Sequence, residues 1–212
     1  GGGIQELRGL TAHELLAKAT ALNTVNPGRL AIVDGHYFSK PIREIYAAGE
    51  QRRVPVLVGS NADEGSGLSD YWVVPPVPES ESAYVADVRD RFGSLADRWL
   101  AQYPANRLSD TVFDAYRDSE FSWRMEEWAK AAERAGAPAY LYHFSHTPPR
   151  GDEMRGMPVG TARRRLGAYH ASEIQYVFGT LGVTTTVAGV ITDEDRRLSQ
   201  QMQDYWVAFA AT

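Results

Sequence analysis

The 212-residue chain contains no cysteine. That excludes disulfides, thiolate metal sites and a cysteine nucleophile. It has no excess of basic charge either: 22 Lys and Arg stand against 27 Asp and Glu, a formal net charge of −5. A basic face of the kind that binds nucleic acid or an anionic membrane surface is not expected. No apolar run approaches the roughly 20 residues that span a bilayer. Internal repeats and low-complexity tracts are absent. Serine is present, but no serine has glycine two places before it and two places after it. Gly65-Ser66-Gly67 is too tight, and Ser69 has Gly67 before it but Tyr71 after it. The G-x-S-x-G turn that presents the nucleophile of an α/β hydrolase is therefore missing.

What remains is ordinary for a globular domain: 43% hydrophobic and 23% charged residues. The length suits one domain or a substantial part of one. The chain opens Gly1-Gly2-Gly3 without methionine, so a non-native start is expected and the absence of a targeting segment is uninformative. Freedom from disulfides fits a reducing compartment but leaves both a cytoplasmic and a secreted location open.

Local signals alternate between strand and helix. Thr11 and Glu14 form a capping box ahead of a short helix, HELLAKATAL. LAIVDGHYF reads as a buried strand-like run broken at Asp34-Gly35, and PIREIYAA as a helix with Pro41 in its first turn. Val54 to Val58 (VPVLV) is apolar on both sides of the pleat, as a parallel strand covered on both faces is. The proline-rich YWVVPPVPES is a loop. Helical patterns follow in ESAYVADVRDRF, SLADRWLAQY and from about Asp110 to Ala135. AYLYHF (residues 139–144) is a second strand. Residues 147–167 have no periodicity and are expected to be a long irregular loop. Thr192 caps a final helix with three acids in its first turn. This order predicts an α/β fold. Two strong strands are too few for a stable parallel sheet, so neighbouring strands are expected from elsewhere.

Two peptides carry the chemistry. VGSNADEGSG surrounds Glu64 and LGAYHASEIQYVFG surrounds His170. Each sets its candidate residue, Glu64 or His170, on a Gly-flanked turn downstream of a strand, at the end of the sheet where α/β sites are built. Acid and then histidine is the chain order of the second and third members of an α/β-hydrolase triad. A hydrolytic histidine needs an acid that holds one tautomer and stabilises the imidazolium. The plain alternatives are a solvated surface glutamate and a histidine satisfied by a local hydrogen bond.

VPVLVGSNADEGS and GAYHASEIQYVFG resemble the acid and histidine motifs of the type-B carboxylesterases, the family that includes the cholinesterases. IQELRGLTAHELL, VDGHYF, APAYLYHFSH and DYWVAFA resemble further segments in the same order, from about Ile4 to Ala211. The resemblance implies the C-terminal portion of one α/β-hydrolase domain over residues 1–212. It implies a Ser–His–Glu triad, with Glu64 the acid and His170 the general base. It implies a supporting hydrogen-bonded role for Glu173, whose other reading is a helix N-cap. Leu68 and Trp72 fall in the stretch that lines the substrate gorge in relatives, or else pack as an ordinary loop. The G-E-S-A-G elbow and the Gly-Gly oxyanion segment have no counterpart here. The expected partners are therefore an N-terminal part of the same enzyme that carries the serine, and a small ester substrate. No cofactor is implied. On this reading the chain by itself is inactive.

The sequence also offers three rival readings. His143 and His146, with Asp152 and Glu153 nearby, offer metal-ligating groups, but H-x-x-H at a strand end points the two rings to opposite faces. A non-catalytic interaction or adhesion relative is the alternative function, disfavoured because Glu64 and His170 are both present. Arg163-Arg164-Arg165 could grip an anion, but in an acidic chain a solvated loop is the simpler reading.

Overall fold

The computed structural model describes residues 3–21, 32–66, 68, 77–149, 154–156, 163–183 and 190–211. The chain divides into two compact units, Gly1–Gln51 and Arg52–Thr212.

The first unit holds three helices, α1 (Ile4–Arg8), α2 (Ala12–Ala21) and α3 (Ile42–Ala47). The capping box at α2 forms as expected: the Glu14 carboxylate accepts from the Thr11 amide at 2.8 Å, and the Glu14 amide donates to the Thr11 hydroxyl at 3.3 Å. The strand expected in LAIVDGHYF is not found over residues 32–38. Asp34 decides this. Its Oδ1 accepts from the amides of His36, Tyr37 and Phe38 at 2.9, 2.8 and 3.3 Å, which curls the backbone into a turn where a ladder would need it straight.

The second unit is built on two parallel strands, β1 (Val56–Asn61) and β2 (Ala139–Phe144), in register from Val56–Ala139 to Asn61–Phe144. Gly59 lies opposite Tyr142, and any β-carbon at Gly59 would run into the Tyr142 carbonyl and ring. The glycine in VLVGSN thus makes room for an aromatic on the neighbouring strand. Between the strands run α4 (Glu81–Phe92), α5 (Ala96–Gln102), α6 (Leu108–Arg117) and α7 (Trp123–Arg134). The stretch expected as a helix from about residue 110 to 135 is helical without a break from Leu108 to Arg134, but a π-helical turn at Asp118–Ser122 separates α6 from α7. Ala129, Ala131 and Ala132 give α7 a small-residue buried face.

The stretch expected to be wholly irregular contains a short antiparallel pair, β3 (Met154–Gly156) with β4 (Arg163–Arg165). Three-residue strands are too short to leave a periodic signal, which is why the sequence hid them. A single turn, α8 (Ile174–Val177), and a long last helix, α9 (Asp193–Ala210), complete the unit.

The core nearest the site joins β2 to α8 and α9 through Phe144, Ala168, Tyr176 and Met202, with Leu198 and Trp206 packed against it. Burying side chains of this size stabilises by about 1.5–3 kcal/mol each. A polar knot lies beside it. Asp195 accepts from the Tyr176 hydroxyl at 2.6 Å and from Thr192 Oγ1 at 2.6 Å, and pairs with His146 Nε2 at 2.8 Å. These donors hold the Asp195 carboxyl well below the usual range against the opposing effect of its burial. His146 is thereby engaged with a carboxylate, not with His143. Asp152 and Glu153, the other candidate metal ligands, lie outside the described residues, and among the described residues no group of three metal-ligating side chains gathers.

Candidate active site

The turn after β1 and the segment before α8 are joined by backbone before any side chain is considered. The Asp63 amide donates to the Ala168 carbonyl at 3.1 Å, and Asp63 pairs with Tyr169 in a parallel bridge. The Ala168 amide donates to Asp63 Oδ2 at 2.9 Å. The Ser66 hydroxyl lies 2.5 Å from the Leu166 carbonyl. Parallel pairing thus continues past the end of β1 onto the segment before α8, and it sets Glu64 beside His170 although they are 106 residues apart.

Gly167 permits this approach. It sits in the left-handed region at φ 59°, and a β-carbon there would overlap the Asp63 carboxylate. Replacing Gly167 with alanine is expected to destabilise the fold by about 1–3 kcal/mol, through backbone strain and displacement of Asp63. A denaturant titration of Gly167→Ala checks this. An unchanged midpoint would mean that the Asp63–Ala168 clasp is not needed to hold the turn.

Glu64 is 5% exposed. Its Oε2 lies 2.6 Å from His170 Nδ1, and its Oε1 accepts from the Asn61 amide at 3.0 Å. A carboxylate can only accept, so the Nδ1 nitrogen carries the hydrogen and Nε2 of the neutral ring is left as the acceptor. Among the described residues no hydrogen-bond partner reaches Nε2. The bond to Glu64 raises the His170 pKa above the ordinary histidine value; burial opposes it, and the charges of Glu64 and Glu173 add to the rise. Ala171 follows at φ 67°, a left-handed non-glycine residue directly after the histidine. Such a conformation costs on the order of 1 kcal/mol and persists only where its surroundings enforce it.

Glu173 does not cap α8 with its side chain. Its Oε2 instead accepts from Asn61 Nδ2 at 2.6 Å, and the same nitrogen donates to the Tyr169 carbonyl at 2.9 Å. Asn61, fully buried, therefore touches both carboxylates and the residue before His170. Tyr142 stands near both acids as well. Burial, ahead of the charges of Glu173 and Glu64, pushes its hydroxyl up to about 12.

This geometry has the form of an acid–histidine pair, and the whole chain around it can be placed. A family model described as the carboxylesterase family matches residues 4–212. The chain belongs to the carboxylesterase family. Among its relatives, the fumonisin B1 esterase of Sphingopyxis macrogoltabida is 33% identical over 187 residues, covering 84% of this chain and 32% of that protein. The para-nitrobenzyl esterase of Bacillus subtilis is 25% identical over 221 residues, covering 100% of this chain and 41% of that protein. Among solved structures, the carboxylesterase EST55 of Geobacillus stearothermophilus superposes with a TM-score of 0.63 at 23% identity, over 98% of this chain and 40% of that one. The fold is accordingly that of part of an α/β hydrolase. In each comparison the chain spans well under half the length of its relative.

Within this carboxylesterase-family chain the expected site residues fall as follows. Glu64, His170 and Glu173 are gathered into one network. Leu68 packs against the Val112–Phe113 cluster with Val77 and Tyr116. Trp72 lies outside the described residues. The network also includes groups that the sequence did not single out. Asn61 and Asp63 read as turn residues, and only the joining of the turn after β1 to the segment before α8 shows what they hold. Arg117 Nη1 donates to the Ala62 carbonyl at 3.2 Å, and the Phe121 ring stands 5.1 Å from the His170 ring, centroid to centroid. Both come from a helix that gave no local hint of the site.

Proposed function

We propose that this chain supplies the acid and the general base of a serine carboxylesterase, within the C-terminal portion of one α/β-hydrolase domain. The nucleophilic serine and the oxyanion-hole donors belong to an N-terminal part of the same protein. The observation that carries the reading is the 2.6 Å bond between His170 Nδ1 and the buried Glu64 carboxylate. It is the arrangement a proton-shuttling imidazole requires: one nitrogen held by an acid, the other available as a base.

In the mechanism, the serine oxygen attacks the ester carbonyl carbon as His170 Nε2 takes the hydroxyl proton. The imidazolium is stabilised by Glu64. It returns the proton to the departing alcohol oxygen as the carbon–oxygen bond breaks, leaving an acyl-enzyme. Water then attacks the acyl carbon with His170 again the base, and the serine leaves with the proton. Glu173 and Asn61 act one step away, keeping Glu64 and the backbone at Tyr169 in place. The substrate class is a small carboxylic ester.

The test is reassembly. The chain by itself is expected to show no turnover of a short p-nitrophenyl ester, and co-expression with the N-terminal part is expected to give turnover. Hydrolysis by the purified chain alone, or a well-folded reassembled protein without activity, would defeat the proposal.

A further inference from the structure

One contact of the His170 ring is not explained by the acid–histidine pair. The arene of Phe121 packs on it at 5.1 Å between centroids, tilted by 54°. Phe121 belongs to the π turn Asp118–Ser122. A π turn inserts one extra residue into an α-helix and turns everything beyond it by about 100°, and such insertions recur at functional sites. Nothing in the sequence DSEFS forces it, since the turn contains neither proline nor glycine.

What the turn touches gives the reason. At its start, Arg117 holds the Ala62 carbonyl of the acid's own turn at 3.2 Å and bonds Asp118 at 2.7 Å. Asp118 in turn accepts from the Tyr103 hydroxyl at 2.8 Å. At its end, the Ser122 hydroxyl meets that of the buried Ser60, on β1, at 3.2 Å. Both ends of the insertion are thus fastened to the strand and turn that carry Glu64, and Phe121 lies between them. Tyr116 backs the Phe121 ring at 5.9 Å.

A bond at Nδ1 fixes one point of an imidazole. The two side-chain torsions still let the ring swing about that point, and the His170 side chain is 38% exposed, so solvent does not block the movement. Fixing Nε2 requires a second contact away from Nδ1. We propose that the π turn at residues 118–122 is a positioning device that holds Phe121 against the His170 ring, so that Nε2 stays aimed at the serine. Phe121 is a positioning residue on this account, because it touches the base and not the reacting atoms. The inference rests on the triad reading above.

The reassembled enzyme tests it, with the chain isotope-labelled at histidine. Phe121→Leu keeps apolar volume but removes the ring. It is expected to lower kcat by at least about tenfold with KM nearly unchanged, because misaimed groups slow the chemical step more than binding. Phe121→Tyr keeps the ring and is expected to retain kcat. In parallel, the His170 ring-proton resonances, assigned by their loss in His170→Ala, are expected to shift in Phe121→Leu and to stay in place in Phe121→Tyr. Full kcat in Phe121→Leu, or resonances that do not move, would overturn the positioning role while an inactive His170→Ala leaves the triad standing. Activity that survives in His170→Ala would instead remove the triad beneath it.

Discussion

Replacing His170 with alanine is expected to reduce kcat of the reassembled esterase by about 10,000-fold to a million-fold. The size follows from the role proposed for the imidazole. Without it the serine hydroxyl has no base, and the departing alcohol has no acid, so acylation and deacylation both fail. Substrate binding depends on other surfaces, so KM is expected to change little. The fold is expected to survive, because the His170 side chain is partly exposed and makes one hydrogen bond among the described residues. Steady-state kinetics with a p-nitrophenyl ester, beside a melt of the same sample, separates the two effects. A loss of activity that tracked a loss of folded protein would point to a structural role for His170.

Replacing Glu64 with glutamine is expected to cost about 10,000-fold in kcat, almost as much, for a different reason. The amide keeps the shape of the side chain but can turn its NH2 toward Nδ1. That would favour the tautomer with the hydrogen on Nε2, where a base must have none. The pH profile adds a sign. His170 must be neutral to act as a base, and its pKa is raised chiefly by the hydrogen bond to Glu64. The acid limb of kcat/KM in the parent enzyme is therefore expected to lie above the pH at which an ordinary histidine titrates. Removing the carboxylate takes that support away, so in Glu64→Gln the limb is expected to move to lower pH while the plateau falls. A limb that stayed in place would show that another group sets it. Glu173, which also favours the charged ring, is the first to examine.

That Glu64 and His170 would meet was legible in the sequence because each stands in a long, ordered peptide that resembles a family motif, with a strand upstream and glycine nearby. Gly167 was legible as a turn residue, yet its reason, the Asp63 carboxylate lying over it, was not. Asn61 is the clearest case of a residue hidden by locality. Its partners Glu173 and Tyr169 are more than 100 residues away, and no period or cap marks it. The strand expected in LAIVDGHYF failed over its described part for the opposite reason. There the side chain of Asp34 settles the backbone within four residues, against an apolar run that favoured extension.

The pairing of Glu64 with His170 was expected only through the family resemblance; the α/β character, the two strands of the parallel sheet and the capped N-terminal ends of α2 and α9 were already present in local signals. These depend on propensity, period and motif, all of which act over a few residues. It is the folded molecule that makes β1 and β2 direct neighbours, joins Asn61 to both carboxylates, and brings Phe121 to the histidine through an irregular turn in a distant helix. Each of these depends on distances between segments that are far apart in the chain, which packing alone fixes.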